Sequence, residues 1–172
     1  MQKRTQQLTL SAMFIALGIL FPILFHAVNL GAIFLPMFWP IAAAAFFVSL
    51  PLAIGIGTLA PLLSSLMTGM PPISPPFMHV IVVELIFLTG TIGILYRYTK
   101  FGLAWILLIG LLISRFILFF IVMVLAPILG LSGKVFSILL VIQGLPGVIA
   151  IILVVPVIVS KIKHEPLFAF RC

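Results

Sequence analysis

Apolar runs of spanning length recur six times along this chain and leave little else. A hydrocarbon core of roughly 30 Å is crossed by about 20 residues of helix, and in lipid every backbone N–H and C=O must be paired within the protein. Runs of that kind fit at 8–27, 31–49, 51–68, 77–96, 102–126 and 135–160. With 65% of 172 residues hydrophobic and 6% charged, the chain lacks the polar surface to cover a water-soluble globule. The expected fold is an all-α integral membrane protein, a compact bundle of six transmembrane helices forming a single domain over residues 1–172. The first run follows a basic patch, as in a signal peptide, but it is of spanning length and no small-x-small cleavage site closes it, so it reads as a retained helix.

Turn chemistry separates the runs: "HAVNLG", "SLP", "TGMPPISPP", "YRYTKFG" and "PILGLSGK". Pro36 and Pro40 near the start of the second span, and "GLPG" at 144–147 in the sixth, predict kinked or broken helices. Lys3, Arg4, Arg97, Lys100, Lys161, Lys163 and Arg171 all fall on one side of this arrangement, against Lys134 alone in an opposite loop. By the positive-inside rule that side is cytoplasmic, so both termini face the cytoplasm and the first, third and fifth loops face outward. The formal charge of +7 accordingly points to topology and anionic lipid; no nucleic-acid-binding pattern is present.

Few polar residues lie within the spans. At ~1.5 Å rise per residue, Glu84 and Gln143 lie on the order of 10 Å below the outer ends of the fourth and sixth spans, and Arg115 on the order of 15 Å below that of the fifth. His79, His26, Asn29 and Trp39 sit nearer the outer mouth, which predicts a polar pocket in the outer half of the bundle. A glutamate or arginine at such depth costs several kcal/mol facing lipid, so both turn inward and the obvious partner of each is the other. Two readings follow. The pair fixes the packing of the fourth and fifth helices, or one or both members, with Gln143, contact a polar solute. His79 and His26 read either as hydrated helix-end residues or as ligand contacts, and Trp39 as a packing aromatic or a stacking platform. The stiff "MPPISPP" segment is a plain turn or a lid over the pocket, formed by Met70, Pro71 and Pro72. In "SAMFIALG", Ala12 and Ala16 share a helix face and allow close approach of another helix, within the bundle or from a separate subunit.

Several chemistries are missing. There is no Walker loop, HExxH or Ser/His/Asp set, and the single cysteine, Cys172, offers neither a disulfide nor a Cys-based metal site. No metal site, bound cofactor or enzymatic activity is expected. With one intramembrane acid and no second internal repeat of six spans, a self-sufficient proton-coupled carrier would be unusually small, and the energy source is expected elsewhere.

Six spans in under 200 residues, the pair in "AMFIA", and the segments "LPMFWP" and "LLSSLMTGMPP" resemble the S components of energy-coupling factor (ECF) vitamin transporters. The likeness spans nearly the whole chain, and none of its motifs is specific alone. It implies a high-affinity binding subunit for a water-soluble vitamin or vitamin precursor in a bacterial or archaeal cytoplasmic membrane. It further implies a pocket under the first, third and fifth loops, docking of Ala12 and Ala16 against a transmembrane coupling subunit, and two cytoplasmic ATPases that hydrolyse ATP for transport. The S component is thought to topple in the membrane to deliver its solute. No signature of one particular vitamin is present, and the histidine-rich N-terminus of metal-transporting relatives is absent. Competing expectations are a structural or assembly membrane protein, and a small stand-alone carrier or channel.

Overall fold

The computed structural model describes residues 2–74, 76–128 and 138–163, and among these there is no strand. Helix α1 (Gln2–Ala27) starts six residues before the expected span, taking the polar "QKRTQQ" segment into its first turns. It ends in a left-handed turn: Asn29 has φ 58°, its N–H bonds the His26 carbonyl at 3.0 Å, and the Leu30 N–H bonds that of Phe25 at 2.9 Å. Asparagine is among the few side chains that tolerate this conformation at a helix end.

The second expected span is broken, as Pro36 and Pro40 predict, but it is corrected as a spanning element. Instead of one helix over 31–49 there are two short ones, α2 (Gly31–Phe34) and α3 (Phe38–Ala44). Pro36 disfavours the helical region at Leu35, which sits at φ 49°, while Pro40 falls in the first turn of α3, where no intrahelical N–H is needed. So short an element could not satisfy its backbone in lipid, and α3 is instead surrounded by protein. Residues 36–48 are buried except for half-buried Trp39, packed among α1, α4 (Leu50–Thr68), α5 (Phe77–Tyr98) and α9 (Leu145–Lys163). Side chains close its exposed backbone groups. The Trp39 indole donates to the Phe34 carbonyl at 2.8 Å, Arg97 Nη2 donates to the Val48 carbonyl, and the Ser49 N–H donates to Gln7 Oε1 at 3.3 Å. Irregular backbone at membrane depth is tolerated where protein surrounds it.

The remaining five expected spans appear as helices long and apolar enough to cross a membrane: Arg4–Ala27, Leu50–Thr68, Phe77–Tyr98, Leu103–Ile128 and Leu145–Ile162. The fifth of the six is not uniform. Helix α6 (Leu103–Phe120) passes through a π turn at Ile121–Leu125 into α7 (Ala126–Ile128). The sixth begins with α8 (Ile138–Gln143) and breaks at Gly144 before α9, at the expected "GLPG". Lys134 and residues 135–137, assigned to an outward loop and the start of the sixth span, lie outside the described residues, as do Arg171 and Cys172.

α5 packs between α4 and α6, and one contiguous core, with Ile41, Ile56, Leu88, Leu111 and Ile151 fully buried, joins α1, α3, α4, α5, α6 and α9. Outward faces carry large apolar side chains such as Leu66, Phe116 and Leu153, each at least 66% exposed, which is the surface lipid requires and water penalises. Against α2, the first turn of α9 comes so close that a Cβ on Gly147 would lie 2.7 Å from the Ile33 carbonyl oxygen. That contact holds the broken second segment against the break in the sixth.

Candidate functional site

At the end of the bundle where α1 stops and α5 starts, the helices frame a partly open cavity of ≈ 360 Å³. α5 contributes Phe77, Val80, Ile81 and Glu84, the i, i+3, i+4, i+7 positions of one helical face. Arg115 and Leu118 come from α6, Pro22 and His26 from α1, Gln143 from α8, and Leu35 to Phe38 from the break between α2 and α3. Gly31 and Ala32 of α2, with Met70, Pro71 and Pro72, complete the lining.

Glu84 and Arg115 are 3% and 7% exposed, and Arg115 Nη2 stands 2.6 Å from Glu84 Oε1. Ser114, fully buried, donates to the same oxygen at 3.2 Å. Both contacts of the carboxylate thus use Oε1. The Nη2–Oε1 approach is close but poorly directed, for neither Nη2 nor Nε of Arg115 makes a hydrogen bond of acceptable geometry. One face of the guanidinium is covered by Phe38, with the ring centroid 5.2 Å from Cζ, inside the range of a cation–π contact. Room for Nη1 is left by Gly144, where a Cβ would stand 3.0 Å away. The result is an apolar chamber with one partly satisfied ion pair set into its wall. Such chambers orient amphipathic ligands through a small number of polar groups.

Of the residues singled out in the sequence, Glu84, Arg115, Gln143, His26, Met70, Pro71 and Pro72 come together around this cavity. His26 and Gln143 are exposed, and the His26 imidazole covers Gly31, where a Cβ would meet the ring at 2.5 Å. Three others are placed elsewhere. His79 is exposed on α5, Trp39 bonds the end of α2, and Asn29 serves the turn after α1; none lines the cavity. The 70–72 segment is held from both sides. Ser64 Oγ donates to the Met70 carbonyl at 2.7 Å, the Met70 N–H donates to Thr68 Oγ1 at 3.2 Å, and the Met78 N–H bonds the Pro72 carbonyl at 3.1 Å. Ala12 and Ala16 are exposed, whereas Ser11, Phe14 and Gly18 of the same helix face the core. The alanine face of α1 therefore does not serve packing within the described bundle.

Ser114, Phe38, Gly144 and Leu35 are site residues that sequence reasoning missed. Ser114 had a usable signal, a hydroxyl beside an intramembrane arginine. Phe38 had none, being one of 16 phenylalanines. Among the described residues no cluster of His, Cys, Asp or Glu could hold a metal ion. Comparison with protein families, curated proteins and solved structures finds no match to this chain.

Proposed function

We propose that this chain is the membrane-embedded binding subunit of an ATP-driven uptake system of the ECF type, taking a water-soluble vitamin or vitamin precursor from outside. In this reading the cavity end faces outward, both termini face the cytoplasm, and the chain does no covalent chemistry of its own. A transmembrane coupling subunit and two cytoplasmic ATPases supply the energy. The observation that carries the reading is the buried Glu84–Arg115 pair set in the wall of a ≈ 360 Å³ cavity rather than in solid packing. Intramembrane ionisable residues that line a cavity mark solute pathways by default. The motif likenesses noted above and the unused alanine face of α1 agree with it.

A second reading, of an assembly protein in which the pair only fastens α5 to α6, is favoured by the extensive contact between those helices. The two separate on one experiment. The detergent-purified full chain is denatured and the released small molecules are identified by mass spectrometry, alongside a Glu84→Gln, Arg115→Gln double variant. A stoichiometric solute released by the native protein and depleted in the double variant is the expected result. Equal, substoichiometric background from both proteins, each shown to be folded, defeats the transport-subunit reading.

A further inference from the structure

We infer that the solute of this cavity is electrically neutral and carries an apolar ring whose polar edge sets a hydrogen-bond acceptor beside a donor, as in a lactam or an amino-azine. The inference rests on the reading of the cavity as a solute site and adds the chemistry of what enters it.

The argument starts from charge balance. Among the described residues the charged side chains in the lining are Glu84 and Arg115, and they neutralise each other at 2.6 Å. A carboxylate solute that approached Arg115 would bring its charge against Glu84, and an ammonium that approached Glu84 would meet Arg115. Neither charge has a free counter-ion, and stripping a net charge of water among Leu35, Phe38, Phe77, Val80 and Leu118 is costly without one. A neutral solute escapes that cost.

Unfilled hydrogen-bonding capacity then sets the polar edge. Arg115 lines the cavity, yet its Nε and Nη2 are sealed from it, and Nη2 is turned to Glu84, so Nη1 beside Gly144 is the donor left to a ligand. Glu84 receives Arg115 and Ser114 on Oε1, so Oε2 is the acceptor left over. A ligand that accepts from the guanidinium and donates to the carboxylate satisfies both at once, and a ligand lacking either group leaves a buried partner unpaired. The apolar walls and the volume set the remainder. A cavity of ≈ 360 Å³ lies at the small end of the range of about 300–1,000 Å³ for small-molecule sites, which fits a one- or two-ring body.

Equilibrium dialysis of the detergent-solubilised full chain against four matched bicyclic probes tests this: 2-quinolone (neutral, donor beside acceptor), 2-naphthoate (anion), 2-naphthylmethylammonium (cation) and naphthalene (apolar). The expected order places 2-quinolone first, with each of the others at least about tenfold weaker. Glu84→Gln, which leaves Arg115 as an unbalanced cation, is expected to reverse the order in favour of 2-naphthoate, a gain of binding that misfolding cannot imitate. If that variant fails to fold, the ranking on the native protein still decides. A native preference for the anion or the cation, or naphthalene bound as tightly as 2-quinolone, overturns the neutral donor–acceptor solute while leaving the cavity a binding site. Absence of binding by all four at millimolar concentration removes the cavity as a solute site, and this inference with it.

Discussion

Glu84 is tolerated in an apolar helix because three groups meet it. Arg115 neutralises it, Ser114 donates to it, and the cavity relieves both charges of packing against hydrocarbon. Removing one member of a buried pair leaves the other uncompensated, a loss of about 3 to 5 kcal/mol when burial is complete. Glu84→Gln and Arg115→Gln are each expected to lower the Tm strongly, and the double variant to recover most of it. Solute affinity in the recovered double variant is expected to stay at least tenfold weaker, roughly 1.4 kcal/mol. Thermal melts and binding measured on the same three proteins check this, and full affinity in a stable double variant places the solute elsewhere. At this scale the site was partly legible. An acid and a base within apolar runs signal each other, because lipid offers no third option. Phe38, Gly144 and Leu35 were not legible, since their roles arise from proximity between segments far apart in the chain.

At the scale of elements, the second segment taught the sequence reading its largest error. Hydropathy registers removal from water but does not distinguish burial in lipid from burial in protein, so "AAAAFFV" inside the bundle looks the same as a span against acyl chains. The prolines predicted the break, which falls where Pro36 forces it, but they carried no sign that protein surrounds the segment. The π turn in the fifth span had no such marker, because every residue of "IVMVL" is acceptable to an α-helix. Leu35 bears the cost of the break: a non-glycine side chain at φ 49° is disfavoured by roughly 1 to 2 kcal/mol. Two substitutions isolate that cost. Leu35→Ala loses the side chain and keeps the Cβ penalty, whereas Leu35→Gly loses both, so the glycine variant is expected to be the more stable of the two by about 1 kcal/mol. Equal melting temperatures, or a more stable alanine variant, remove the strain from Leu35.

Over the whole molecule, the buried ion pair lies at one end of the described bundle, and the outward face is largely apolar with a small-residue track on α1 at Ala12 and Ala16. A leucine at either position lies outside the core, so Ala12→Leu and Ala16→Leu are expected to leave folding and solute binding by the isolated chain within about twofold, while abolishing uptake in cells that supply the partner subunits. Uptake at the native rate with leucine at both positions rejects α1 as the docking face. The buried second segment has one more consequence. Between the Glu84–Arg115 pair and the end of the bundle marked by Arg97, the described core offers serine and threonine hydroxyls but no other buried ionisable group. With α3 buried among α1, α4, α5 and α9, no chain of ionisable side chains in the described core links the two ends of the bundle, and the Glu84–Arg115 pair is a terminus for charge, a cup with nothing charged beneath it.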